Sequence, residues 1–515
     1  MVSKRRQRSL PMSLLLSVIK HHLGDLHACK TKINDAHLPL DIVYEIAERL
    51  ENTEDILHFS LASSRIYNTL LPVLYTSVDL RSSQSCQRTL TTFLTEFKSK
   101  ARFIRHLVVR PNHRSQQQQY ATPIDEHWVV QCIVKLANSG RLPRLASFFW
   151  DGSEMPIDDS LWATLRACCP QLRGVGSNVG PKCINPASEL FRFDDLTAFA
   201  LTAKTLPDEW DTFLPPNPEL PDQLWEMLLD RCPRLEQLQI EVSQRSRRVW
   251  DTRRVVQGNW LMLRDLKLGE CNMAGPNPSR FGMETPFMRF LVAHPALERL
   301  QLPSLSAFPR AMILPPNSLP KLREFSGNAT HIRGLSNLAN IQTLSLAHQP
   351  LSNKVLSLVC GTLKHMHSLD SLSVWLHLDS QTDHYAIFRN LLCSCRTVRH
   401  LDIACSDSPW DMSQFISALR GASMNLVTLT LTRVEHATGG PDLHKVAFQL
   451  AVASPSLRRI ALRYSFTTWV FMDSIPFQQT ADFVVKSDNG GLDVKEKNAA
   501  SRRSPSVKLH LPKWT

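Results

Sequence analysis

One spacing of apolar residues recurs along most of the chain. The segments PRLEQLQI (233–240) and PALERLQL (295–302) each carry an apolar residue at a first position, three residues later and five residues later. Counted from that first position, offsets 3 and 5 lie on the same side of an extended strand, because side chains alternate along a strand. The residue at offset 0 is expected to turn inward from the preceding loop. The spacing therefore predicts short strands that each bury one apolar face.

This frame occurs thirteen times, at a mean interval of about 29 residues, which is the long end of the range of leucine-rich repeats. A strand and a helix cannot bury their apolar faces alone, whereas stacked units share one core. The copies begin at Ile104, Leu145, Leu172, Leu196, Leu235, Leu263, Leu297, Leu322, Ile341, Leu369, Val398, Leu426 and Leu457. Stretches with helical periodicity lie at 222–232, 353–366, 384–396, 411–423 and 442–454.

The repeats predict an α/β fold over residues 81–475. We expect a degenerate leucine-rich-repeat solenoid with parallel strands on the concave side and helices outside. The polar, charged ends of the chain lack the frame, so residues 1–36 are expected to be a basic tail, disordered or in a short helix. Residues 476–515 are expected to be a disordered C-terminal tail.

A different rhythm precedes the repeats, in residues 37–80. The segment LPLDIVYEIAERL places Ile42, Val43, Ile46 and Leu50 on one helical stripe. NTEDILHFSLAS begins a second helix with Thr53 as its expected N-cap, and RIYNTLLPVLYTSVDL supplies a third. Three helices in so few residues cannot bury a large core, so this head is expected to need a partner or a neighbour.

The head resembles an F-box. The resemblance covers only residues 37–80, with Tyr67 where the family often has Trp, and the ending LPVLYTSVDL is similar to fungal members. The order and spacing that carry the resemblance run through Leu38, Pro39, Asp41, Ile42, Ile46, Leu50, Asp55, Ile56, Leu57, Leu61, Arg65 and Tyr67. An F-box followed by leucine-rich repeats implies a substrate-recognition subunit of a Skp–cullin–F-box ubiquitin ligase, in which the head docks a Skp-type adaptor, and through it a cullin, and the repeats bind a target protein.

The resemblance also assigns the adaptor-binding residues. Two alternatives stay open: the chain is a scaffold that acts in assembly outside ubiquitination, or the head is a cap that shields the first repeat. The expected adaptor-binding residues are Leu38, Pro39, Leu40, Ile42, Val43, Ile46, Leu50, Ile56, Leu57, Leu61 and Tyr67.

Offsets 2, 4 and 6 of each repeat point away from the predicted core and form the candidate target-binding surface. An exposed tryptophan beside arginines is typical of a protein-binding patch. Ser373, His400 and Asp402 fall on neighbouring strands, but a flat ladder lacks the oxyanion hole and pocket that a hydrolytic triad needs, so we expect no enzyme. The expected target-binding residues are Trp375, His400, Asp402, Arg459 and Arg463.

The distribution of charged and apolar residues limits the classes of partner that we expect. The net charge of +12 is concentrated at the ends, since residues 1–32 and 486–515 each carry seven Lys or Arg against one and three acids. Because nucleic-acid readers cluster basic residues on a folded face, nucleic acid is not expected as a partner. No apolar run reaches the ~18 residues of a membrane span, so no membrane is expected either. Whether the basic N-terminus is a targeting signal or a plain tail stays open.

The twelve cysteines form no CxxC pair. We therefore expect no metal, no cofactor and no disulfide framework, and a reduced setting in the cytoplasm, the nucleus or both.

Overall fold

The computed structural model describes residues 39–50, 53–96, 100–112, 123–180, 183–204, 219–242, 249–269, 271–272, 285–303, 312–379, 381–406, 412–422, 424–435, 442–470, 473–488 and 491–496. Strands and helices alternate along most of this length. The strands are β1 (Ser77–Leu80), β2 (His106–Val109), β3 (Ser147–Trp150), β4 (Gly174–Asn178), β5 (Ala198–Ala203), β6 (Gln237–Val242), β7 (Trp250–Asp251), β8 (Asp265–Leu268), β9 (Cys271–Asn272), β10 (Arg299–Gln301), β11 (Glu324–Ser326), β12 (Thr343–Leu351), β13 (Ser371–His377), β14 (His400–Ser406), β15 (Thr428–Glu435), β16 (Arg459–Val470), β17 (Asp473–Asp488) and β18 (Gly491–Glu496).

The helices occupy the connections between strands. In the part of the chain that the structure describes, four short 3-10 turns lie at Lys100–Phe103, Glu189–Arg192, Arg253–Gln257 and Leu338–Asn340. A π-helical turn at Met227–Arg231 continues the helix that begins at Asp222. The α-helices are α1 (Leu40–Arg49), α2 (Thr53–Ser60), α3 (Ser64–Leu74), α4 (Ser83–Thr95), α5 (Glu126–Asn138), α6 (Ser160–Cys168), α7 (Asp222–Glu226), α8 (Pro286–Ala293), α9 (Ala329–Ile332), α10 (Asn353–Leu363), α11 (His384–Ser394), α12 (Met412–Ala422) and α13 (Leu443–Ala453).

Within the described residues, the main sheet has 16 strands that follow one another in chain order, while β7 and β9 pair separately. Every pair from β1 to β16 in this sheet is parallel. A doubly wound sheet would reverse its strand order at a switch point, whereas here each unit stacks on its predecessor. The predicted leucine-rich-repeat-like solenoid of parallel strands and intervening helices is confirmed.

The repeat frame explains which side chains form the core. In β12, Leu344 and Leu346 at offsets 3 and 5 are buried, Ile341 at offset 0 turns in from the loop, and Thr343 and Ser345 are half-buried on the other face. The same arrangement builds one continuous core from Leu80 to Val494. The face that carries offsets 2, 4 and 6 is called the ladder face below.

All thirteen copies of the frame become strands, and the structure adds one more at the start. Strand β1 pairs in parallel with β2, so Tyr75 stands at the level of Ile104 and holds offset 0. Val78 and Leu80 take offsets 3 and 5 and pack into the core. The expected boundary of the head at residue 80 is therefore wrong, because β1 belongs to the solenoid. The frame was not recognised in this segment because an aromatic residue, and not an aliphatic one, stands at offset 0.

The C-terminal end of the sheet corrects a second expectation. Residues 476–488 and 491–496 were expected to be disordered, yet they form most of β17 and β18 and pair antiparallel next to β16. Phe483, Val485 and Val494 are buried. The parallel stack leaves an open strand edge at β16, and pairing with β17 satisfies its backbone groups. Residues 1–38 and 497–515 lie outside the described part of the chain.

Cysteines serve as small core residues. Burial raises the pKa of Cys395 and of Cys405 to about 12, which keeps both thiols protonated near neutral pH. Within the described ranges, no group of His, Cys, Asp and Glu side chains is arranged to hold a metal ion. No helix in those ranges is both long and apolar enough to cross a membrane.

Candidate functional site

The head is a three-helix unit in which α1 and α2 both pack on α3. Its buried core consists of Val43 and Ala47 of α1 and Leu70 of α3. Helix α3 begins at a built cap, since the Ser63 hydroxyl accepts the backbone N–H of Ile66 at 3.1 Å. Three buried apolar side chains among the described residues of the head make a small core, so most of its apolar stripes remain near the surface.

The structure spreads the predicted adaptor-binding residues over three environments. Leu61, Leu40 and Leu57 expose 67%, 48% and 44% of their surface. Such large apolar side chains usually mark an interaction site when several occur on one small unit. Leu38 lies outside the described residues. The other exposed residues of the set are Pro39 and Ile42, and the half-buried ones are Ile46, Leu50, Ile56 and Tyr67.

Val43 corrects the predicted set. It is 1% exposed and packs in the core of the head, so it cannot contact an adaptor. The apolar stripe of α1 has a centre that is buried against α3 and two flanks that are accessible. Tyr44 was missed: it is exposed on the flank nearer to α3, and its hydroxyl donates to the Thr69 carbonyl at 3.0 Å.

The head joins the first repeat directly. The Thr76 carbonyl, just after α3, accepts the backbone N–H groups of Arg105 and His106, both at 2.9 Å. These bonds lead the chain from the last helix of the head into the parallel ladder. The accessible flanks of α1 and α2 are therefore carried on a unit that is fixed to the start of the sheet.

The ladder face brings the predicted target-binding residues into level rows. The strand register aligns Ser371, His400, Thr428 and Arg459 at offset 2, Ser373, Asp402, Thr430 and Ala461 at offset 4, and Trp375, Ala404, Thr432 and Arg463 at offset 6. Each row agrees with the positions predicted from the repeat frame. Arg459 is exposed and the other four predicted residues are half-buried.

His400 and Asp402 are engaged in ways unlike a hydrolytic triad. His400 Nδ1 is 2.8 Å from the Thr428 hydroxyl, and its Nε2 is 3.7 Å from a carboxylate oxygen of Asp370. Burial raises the pKa of the Asp402 carboxyl, and the Arg463 guanidinium partly offsets that rise. Both ring nitrogens of His400 thus face groups other than Ser373.

A second polar cluster, the charge ladder, was missed from the sequence. It consists of Asp79, Arg110, Asp151 and Lys204, where β1, β2, β3 and β5 end. The Arg110 guanidinium lies 3.2 Å from Asp79 and 3.6 Å from Asp151, and Lys204 Nζ lies 2.5 Å from both Asp151 oxygens. These residues lie on different repeats, so no local motif announces them.

No protein-family model and no curated protein matches this sequence. Among solved structures, the chain is similar to the leucine-rich repeat-containing protein LegL7 from Legionella pneumophila. That similarity has 13% sequence identity and a TM-score of 0.29, and it covers 70% of this chain and 91% of LegL7. The assignment of the fold rests instead on the parallel strand order and the buried frame positions described above.

Proposed function

We propose that the chain is the substrate-recognition subunit of a Skp–cullin–F-box ubiquitin ligase. In this proposal the head docks a Skp-type adaptor and the ladder face binds a target protein. The chain itself catalyses no reaction and uses no cofactor, and it works in the cytoplasm, the nucleus or both. The observation that carries the proposal is the exposure of large apolar side chains on the head, which the resemblance to an F-box turns into a docking surface.

Leu57 and Leu61 lie four residues apart, on the same side of α2 and the turn that follows it. Both are exposed, so truncating them removes little packing inside the head. Interface anchors each cost roughly 1–3 kcal/mol on truncation, and about 1.4 kcal/mol changes affinity tenfold. A Leu57→Ala/Leu61→Ala variant should therefore bind the adaptor at least about tenfold more weakly.

The test is affinity purification of the full chain, scored for a Skp-type adaptor and a cullin. A matched control is Phe448→Ala/Val452→Ala, because these residues are also an exposed apolar pair four residues apart on a helix, α13. Wild type and control should recover adaptor and cullin, and the head variant should recover neither. Adaptor without cullin would favour the alternative, a scaffold that acts outside ubiquitination. If the folded wild type recovers neither adaptor nor cullin, both the ligase-subunit proposal and the scaffold alternative are rejected, and the head is a cap on the first repeat.

A further inference from the structure

We call the strip of the ladder face between β13 and β16 the trough, because short side chains separate two large ones along one of its rows. At offset 6, Trp375 and Arg463 stand three strands apart, and the residues between them, Ala404 and Thr432, are short. Neighbouring strands lie about 4.8 Å apart, so the two large side chains are separated by about 14 Å at the level of the backbone. That width accommodates one extended peptide along β14 and β15, with side chains that reach each wall.

The wall on the side of β13 is built by Trp375 and a bulge in β12. Leu346 pairs with Val374 and Leu351 with Leu376, so residues 347–350 stand opposite Trp375 alone. The ring is half-buried, and its indole N–H finds no acceptor among the described residues. This wall presents an aromatic surface on which an apolar side chain could pack.

The opposite wall is basic. Arg459 and Arg463 both project from β16 onto the ladder face, and neither forms an ion pair within the described part of the chain. Asp482 of β17 stands opposite Ala461, between them, without reaching ion-pair distance of either. Asp402 lies on β14 in the floor of the trough, where burial raises the pKa of its carboxyl and the Arg463 guanidinium partly offsets that rise. Arg459 is therefore available to an anionic partner, and Arg463, whose charge also acts on Asp402, has no carboxylate within ion-pair distance in the described part of the chain.

We propose that this trough binds an extended segment of the target protein that carries two anionic side chains and one apolar side chain. The inference rests on the proposed function, since it describes the target that the repeats would recruit. The anions contact Arg459 and Arg463, and the apolar side chain packs on Trp375. The anionic group is a carboxylate or a phosphate, both of which guanidinium groups bind well.

The register sets the spacing of these side chains. Arg459 and Arg463 are four residues apart on one strand, about 13 Å at about 3.3 Å per residue. An extended peptide has the same rise, so its two anionic residues should also be four apart. Trp375 is level with Arg463, and successive side chains of an extended peptide face opposite walls. The apolar residue should therefore be adjacent to the anionic residue that meets Arg463.

Fluorescence anisotropy of the full chain tests the proposal with labelled ten-residue peptides. Each probe carries two glutamates four residues apart and a Phe next to one of them. One peptide has the Phe beside the first glutamate and another has it beside the second. Matched sets have phosphoserine or lysine in place of both glutamates. We expect the glutamate or phosphoserine peptides to bind and the lysine peptides not to bind. The set that binds more tightly identifies the anionic group.

Variants connect this binding to the trough. Arg459→Gln/Arg463→Gln should weaken peptide binding about tenfold or more. Trp375→Ala should weaken the binding of peptides that contain Phe more than the binding of peptides in which Ala replaces that Phe. Arg389→Gln/Arg420→Gln, on the exposed side of α11 and α12, is the matched control and should change nothing. Equal binding of acidic and lysine peptides, or full affinity in the Arg459→Gln/Arg463→Gln variant, would overturn the proposal. That variant should still recover the adaptor, so failure of the trough is distinguishable from failure of the proposed function.

Discussion

The ring of Tyr75 meets the ring of Phe93 edge-on, with 6.1 Å between their centroids. Tyr75 directly follows α3 of the head, and Phe93 is buried in α4, the first helix of the solenoid. The Lys100 ammonium lies 5.8 Å from the centroid of the same tyrosine ring. One aromatic residue thus ends the head and fills offset 0 of the first repeat, which couples the stability of the two parts.

Replacing Tyr75 should loosen the start of the solenoid. Tyr75→Ala removes a half-buried ring and its contact with Phe93, and should lower the free energy of unfolding by about 2 kcal/mol. Tyr75→Phe keeps the ring contact and should cost far less. Urea denaturation measures both, and limited proteolysis should cut Tyr75→Ala faster near the junction. Equal stability of the two variants would contradict the coupling.

Gly176 makes room for a neighbouring ring. A Cβ at this position in β4 would lie 2.6 Å from Phe149 Cδ2 and 2.7 Å from the Ala200 carbonyl oxygen. Gly176→Ala should therefore destabilise the protein by about 1–3 kcal/mol. Gly361, in α10, has open space around its Cβ position, so Gly361→Ala should stabilise by about 0.5–1 kcal/mol. Melting temperatures that shift in the same direction for both would refute this reading of Gly176.

The charge ladder should depend on its most buried member. Asp151 has a side chain only 3% exposed and faces both Arg110 and Lys204. Asp151→Asn removes the charge that both cations face, and should cost about 1–3 kcal/mol, because Lys204 loses the carboxylate that it contacts while Arg110 keeps only Asp79. Asp493→Asn, which breaks the exposed pair with Lys495, is the control and should cost much less. Denaturant midpoints compare the two, and similar losses would show that the ladder adds no stability.

His331 should make stability depend on pH. It is 4% exposed in α9, burial lowers its pKa to about 4, and its Nδ1 accepts the backbone N–H of Asn328. The unfolded state, with a pKa near 6.5, binds the proton more readily, so stability falls as the pH drops from about 6.5 towards 4. Between pH 8 and pH 5 the loss from this group is about 2 kcal/mol. Unfolding measured at both pH values should show that loss in wild type and a smaller one in His331→Gln; identical pH dependence would exclude His331 as its source.

The repeat frame and the ladder register are local consequences of the sequence. Alternation along a strand decides that Leu344 and Leu346 point to the core, and a nearly constant interval then aligns Trp375 with Arg463 across four strands. These features need no knowledge of distant contacts. They were predictable for that reason, and the candidate target-binding rows followed from them.

Other features were settled only by the tertiary structure. An apolar stripe on α1 does not say which of its residues meets α3, so packing decided that Val43 is buried while Ile42 stays exposed. Strand β17 pairs with the open edge of β16, although the composition of most of its segment is typical of a disordered tail. Asp151 and Lys204 are 53 residues apart, and only stacking of the repeats brings them together. Local periodicity reports which side of an element is apolar, whereas partners across the fold depend on how the elements stack.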